Sequence, residues 1–122
     1  MTALASLAAA LALATPTLPA PGVVDGATAQ RLVAAGAVIL DVRTPAEFEA
    51  GHLPGARLIP FDQLAARAAE LPAKDHPVVL YCRTGRRTAL AAATLARLGH
   101  TAVYDLRGLS NWSGPVEPGP AR

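Results

Sequence analysis

The chain is poor in cysteine, in aromatics and in charge, and each shortage removes a class of explanation. A single cysteine, Cys82, excludes an intrachain disulfide. The three histidines, His52, His76 and His100, lie too far apart for metal-ligand spacing, so neither a metal site nor a bound cofactor is expected. Two Phe, two Tyr and one Trp are the whole aromatic complement. Basic residues are scattered and not interleaved with those aromatics, which gives nucleic-acid binding no support. The formal net charge is only +2, and 52% hydrophobic against 16% charged residues is not the balance of a disordered chain. Apolar runs are too short for a stable membrane span.

What is present fits one domain, since 122 residues can bury one core but hardly two. Ten of the eleven basic residues are Arg. That bias accompanies abundant Ala, Gly and Pro and reads as codon usage, so the position of particular arginines carries more information than their number. Residues 1–22 stand apart as an apolar leader and a Pro-rich linker. Their run Ala3–Ala14 resembles the apolar core of a secretory signal, with a small-x-small pattern at Ala12-Leu13-Ala14 but no basic start. The expectation is a periplasmic or secreted protein; the alternative is a cytoplasmic one whose leader stays attached. The globular domain is expected over 23–115, and 116–122, rich in Gly and Pro, reads as a flexible tail.

Within the domain, strand and helix signals alternate. Thr28 is placed as the cap of a first helix that buries Leu32 and Val33 and stops at Gly36. Ala37–Asp41, Val78–Cys82 and Ala102–Asp105 are short apolar runs of β-branched character, suited to strands buried on both faces. Leu58-Ile59 is a shorter candidate strand. Thr44-Pro45-Ala46-Glu47 has the cap, the first-turn proline and the glutamate of a capping box. Asp62 is read as the cap of a helix running to Leu71, and Thr88–Leu98 as an Ala/Leu helix closed by Gly99. The alternation predicts an α/β domain with a mostly parallel sheet.

The segment with chemical content is Cys82-Arg83-Thr84-Gly85-Arg86-Arg87-Thr88. A buried strand brings Cys82 to its C-terminal end, where open α/β sheets bind ligands. The loop that follows can form an anion-binding nest, and the next helix adds its positive end. Arg83, Arg86 and Arg87 lie within five residues of the sulfur. All of this favours a nucleophilic thiolate over an inert core thiol. Gly85 suits a tight loop that needs positive φ. Thr84 and Thr88 are candidate donors to the sulfur or its substrate, and Thr88 is equally a candidate helix cap. Arg43 and Glu47, four apart at a helix start, are expected to pair, and Asp41 to accept hydrogen bonds from nearby loop amides.

Three motifs together resemble the rhodanese family of single-domain thiosulfate sulfurtransferases. They are Leu40-Asp41-Val42-Arg43-Thr44-Pro45-Ala46-Glu47-Phe48 with Gly51-His52-Leu53-Pro54-Gly55-Ala56, the loop Cys82–Arg87, and Leu106-Arg107-Gly108-Leu109 with Asn111-Trp112. The resemblance spans Val24–Trp112. It implies a roughly five-stranded parallel sheet flanked by helices, with Cys82 as the catalytic nucleophile that accepts sulfur as a persulfide. It further implies an anionic donor such as thiosulfate, attracted by the loop arginines, a persulfide held by the amides of residues 83–87, and a cyanide or thiol acceptor. Asp41, Arg43 and Glu47 then read as structural residues near the site, and His52 as part of a structural turn. The chain departs from the family at Leu109, where a second glycine is common, and it has no second cysteine to resolve a persulfide internally. A phosphatase or arsenate reductase of the same fold would need Cys-x5-Arg, whereas Arg87 falls one residue early and Thr88 takes the sixth place. A non-catalytic binding module, or a carrier loaded by a partner protein, would also suit these motifs.

Overall fold

The computed structural model describes residues 17–121. Five strands form one sheet: β1 (Gly22–Val23), β2 (Val38–Asp41), β3 (Arg57–Leu58), β4 (Val78–Cys82) and β5 (Val103–Gly108). All pair in parallel, in the order β1-β5-β4-β2-β3. The helices are α1 (Gly26–Ala34), α2 (Pro45–Ala50) and α3 (Arg86–Arg97). The Ala3–Ala14 run lies outside the described residues. No helix among the described residues is long and apolar enough to cross a membrane.

The central strand decides the layout. All five residues of β4 are buried, as expected of a strand covered on both faces. Side chains alternate along it, so Val78, Leu80 and Cys82 join the core under α3 with Leu40, Ala91 and Leu95. Val79 and Tyr81 join the opposite core with Ala29 and Leu32 of α1. Cys82 therefore shares a face with α3 by parity alone.

Three local expectations change. The cap of α1 is Asp25, whose carboxylate accepts the Thr28 N–H at 2.8 Å; Thr28 sits inside the first turn. Gly26 can open this helix because it lies against the Asn111 carbonyl, where a Cβ would stand 2.1 Å from the oxygen. The helix expected from Asp62 is instead two 3-10 turns, Phe61–Gln63 and Ala68–Glu70, and Asp62 caps neither. Leu64 is the one residue of this stretch that is fully buried, too narrow a stripe to hold an α-helix on the core. The segment 116–121 is tied down. Glu117 and His52 exchange backbone hydrogen bonds of 3.0 and 2.9 Å, and the Gly119 N–H donates to the Glu49 carbonyl. At the other end the Tyr104 hydroxyl donates to the Pro19 carbonyl at 2.7 Å, so the ordered unit exceeds 23–115 on both sides.

The buried charges lie at the end of β2. Arg43 is 5% exposed and pairs with the fully buried Asp41, not with Glu47. Its Nε donates to Asp41 Oδ1 at 2.9 Å and its Nη2 to Oδ2 at 2.7 Å. The same Nη2 donates to the Gly51 carbonyl at 2.7 Å, and the guanidinium lies 5.3 Å from the Tyr81 ring centre. Tyr81 in turn accepts the Leu53 N–H on its hydroxyl, and burial pushes that phenol well above its usual range. Asp41 also accepts the Arg43 N–H, as the sequence suggested for a neighbouring amide. Removing one partner of such a pair leaves a buried charge uncompensated. Asp41→Asn is expected to destabilise the fold by about 3 kcal/mol, read from the urea midpoint. A midpoint equal to that of the unaltered protein would show that the pair does not hold the fold.

Candidate active site

The loop between β4 and α3 is only Arg83-Thr84-Gly85, because α3 already begins at Arg86. Three residues must reverse the chain from a buried strand onto a helix packed over the same strand. Gly85 makes the reversal possible: it takes φ 108, ψ −10, in the left-handed region that side chains avoid. A Cβ there would also stand 3.1 Å from the Cβ of Arg107. Gly108 serves the same end. A Cβ on it would meet the Arg83 carbonyl oxygen at 2.7 Å, so β5 closes against the loop backbone only through a glycine. Leu109, where the family often has a second glycine, opens a 3-10 turn, Leu109–Asn111.

The reversal folds the backbone around the sulfur. Cys82 is wholly buried, and the Gly85 N–H donates to its Sγ at 3.0 Å. The first turn of α3 lies beside it, so the positive end of a twelve-residue helix faces the sulfur. Thr88, also buried, donates its hydroxyl to the Gly85 carbonyl at 2.9 Å and lies 3.9 Å from Sγ. Both readings of Thr88 are thereby revised. It is neither the cap, a position held by Gly85, nor a donor to the sulfur; it braces the loop and offers the thiol an acceptor. Thr84 is exposed and forms no bond to the sulfur.

The loop arginines divide. Arg83 and Arg86 are exposed. Arg87 is partly buried and grips Glu47 with both nitrogens, Nη1 to Oε1 at 2.5 Å and Nη2 to Oε2 at 2.9 Å. It thus takes the place at Glu47 that the sequence assigned to Arg43, with both terminal nitrogens engaged there. Glu47 also completes the capping box, accepting from the Thr44 amide and hydroxyl while Thr44 accepts the Glu47 N–H. The start of α2 is so fastened to the start of α3. His52 takes the structural role expected of it: its ring stacks on Phe48 with centres 3.7 Å apart, and Nδ1 bonds the Phe48 carbonyl. No group of residues suited to a metal occurs among those described. A cavity of about 520 Å³ lies between Thr17–Pro19 and α1 and includes no loop residue.

A buried thiol at a strand end, closed in by a three-residue glycine turn, is found here together with the flanking motifs in their order. The sequence pattern described as "Rhodanese-like domain" matches residues 26–114. The chain belongs to the rhodanese-like family. A Bacillus subtilis relative described as the uncharacterized protein YqhL is 45% identical over 82 residues, 66% of this chain and 64% of that one. A protein of Allochromatium vinosum named as a sulfurtransferase is 43% identical over 71 residues, 58% of this chain and 65% of its own. The chain thus spans just under two thirds of the length of both relatives. A solved structure described as a rhodanese with anions from E. coli superposes with a TM-score of 0.65 at 32% identity, covering 69% of this chain and all of that one. The five-stranded parallel sheet is the fold of this rhodanese-like domain.

Sequence reasoning had located Cys82, Gly85 and the Asp41–Glu47 strip. It gave no task to Arg107 or to Gly108, although both stand in the third motif. The Glu47–Arg87 pair predicts a pH effect. Arg87 holds the Glu47 carboxyl down to about 2 from an ordinary 4.5. A carboxylate depressed in the folded state contributes stability above its unfolded value, and that contribution disappears as pH falls toward the folded value. The stability advantage of the unaltered protein over Glu47→Gln should be constant near neutrality, then shrink between pH 4.5 and 2. Thermal melting across that range measures it, and an advantage independent of pH would contradict the pairing.

Proposed function

We propose that this chain is a sulfurtransferase that carries sulfane sulfur as a persulfide on Cys82. The single observation that carries the reading is the Gly85 N–H on the Sγ of a buried cysteine, at 3.0 Å, under the start of α3. A hydrogen bond and a helix end directed at one sulfur favour its anionic form. The loop falls one residue short of the Cys-x5-Arg spacing that cradles a tetrahedral oxyanion. The Allochromatium relative named as a sulfurtransferase supports the activity. The E. coli structure described as holding anions supports an anionic donor.

The chemistry is a double displacement without net redox change. The Cys82 thiolate attacks the outer sulfur of a donor such as thiosulfate. An S–S bond forms at Cys82, the S–S bond of the donor breaks, and sulfite leaves with the electron pair. A cyanide or thiol acceptor then attacks the outer persulfide sulfur, and Cys82 departs as thiolate. With no second cysteine in the chain, the acceptor must be external. Exposed Arg83 and Arg86 form the cationic mouth that draws the donor. Arg87 acts one step removed, since its grip on Glu47 sets the position of α3. This also weighs against a phosphatase or arsenate reductase, whose loop arginine must be free to hold an oxyanion.

Incubation with thiosulfate and cyanide should yield thiocyanate, and Cys82→Ser should yield none. After thiosulfate alone, the peptide containing Cys82 should gain the mass of one sulfur atom. Absence of both signals in the unaltered protein would reject the small-molecule donor, leaving a partner-loaded carrier or a binding module. The Ala3–Ala14 run extends the proposal to export, to the periplasm or beyond. Fractionation of expressing cells should recover the chain outside the cytoplasm, and recovery only inside would reject export.

A further inference from the structure

Arg107 is the one non-glycine residue with positive φ among the described residues, at φ 69. L side chains avoid this region, and glycine would occupy it without strain. The conformation arises at a β-bulge. Leu80 of β4 pairs with Asp105, but the next residue, Tyr81, pairs with Arg107, so β5 carries Leu106 as an extra residue. A bulge of this kind re-aims the side chain that follows it. Asp105, largely buried, holds the bend in place by accepting the Arg107 N–H on Oδ1 at 2.7 Å.

The bend directs Arg107 to the sulfur-bearing loop. Its Cβ, Cγ and Cδ lie 3.1, 3.3 and 3.5 Å from the point where a Cβ on Gly85 would stand. The stem therefore crosses the residue whose N–H touches the Cys82 sulfur. Arg43 and Arg87 are each committed to a carboxylate. The Arg107 side chain is exposed, and its guanidinium has no ion-pair or hydrogen-bond partner among the described residues. Arg83 and Arg86 are also exposed, but they rise from the loop itself. Arg107 comes from a different strand, with its stem already packed, so its charge sits beside the loop at little further ordering cost.

We propose that Arg107 is a specificity-determining residue, which receives the oxyanion end of an anionic sulfur donor while the donor's outer sulfur meets Cys82. The proposal rests on Cys82 being the sulfur carrier. A planar guanidinium matches two oxygens of a sulfonate-like group, and backbone strain held by the fold is a recurrent feature of functional positions.

Two measurements separate this proposal from the activity it rests on. The first is alkylation of Cys82 by anionic iodoacetate and by neutral iodoacetamide, which needs no turnover. Arg107→Gln should slow iodoacetate roughly fivefold and leave iodoacetamide within about twofold, because only the anion meets the missing charge. Arg107→Lys should restore most of the iodoacetate rate. Arg107→Gly, which accepts φ 69 without strain, should melt no lower than the unaltered protein yet show the same iodoacetate loss. The second measurement is thiosulfate turnover: Arg107→Gln should raise KM roughly tenfold with little change in kcat. Equal slowing of both alkylating reagents, or no slowing of either, would overturn the role of Arg107. If thiosulfate turnover is absent from the unaltered protein while iodoacetate still depends on Arg107, the choice of donor fails and the anion-receiving role stands.

Discussion

Everything at this site depends on how little chain separates the end of β4 from the start of α3. Three residues turn a buried strand into a helix lying on the same face. Such a turn is available only if one residue takes a left-handed conformation and nothing projects from it, which Gly85 satisfies. The same crowding reaches β5, where Gly108 admits the Arg83 carbonyl. It reaches into α3 as well, where the Thr88 hydroxyl returns to the Gly85 carbonyl. The hydrogen bond to the Cys82 sulfur is a consequence of this compaction, not an addition to it.

Charge is distributed by the same economy of space. Two arginines are occupied internally, each in a two-nitrogen grip on a carboxylate. Arg43 and Asp41 brace the end of β2 from inside the core, and Arg87 and Glu47 brace the first turns of two helices from its edge. The charges that remain exposed around the loop are cationic: Arg83 and Arg86, with Arg107 from the neighbouring strand. An internally paired frame thus carries an unpaired positive rim, whose field favours anions.

Much of this was legible in the chain because the governing interactions are local. The capping box at Thr44 and Glu47 is read within four residues and formed as expected. The three long strands announce themselves as apolar runs, since a strand covered on both faces can tolerate little else. Where the reading failed, the deciding partner was often distant, although Asp25 caps α1 through the Thr28 N–H only three residues on. Asp25 and Gly26 open α1 where the Asn111 carbonyl lies against it. The two residues of β1 form a strand only with β5 as template. The stretch after Asp62 had helical signals but no core wide enough to receive a helix. Arg87 found Glu47 across forty residues, which left Arg43 to its near neighbour Asp41.

The sequence by itself determined the α/β class, the cysteine at the strand end, the glycine that shapes its loop and the strip that supports it. These follow from hydrophobic period, backbone permissiveness and capping chemistry, all properties of neighbours in the chain. Tertiary structure alone decided which arginines are paired and which are free, that the segment 116–121 is fastened at His52, and that the Arg107 stem lies against Gly85. Those outcomes depend on strand register and on the meeting of distant side chains, and a one-residue bulge that reverses the direction of a side chain leaves no periodic trace in the sequence.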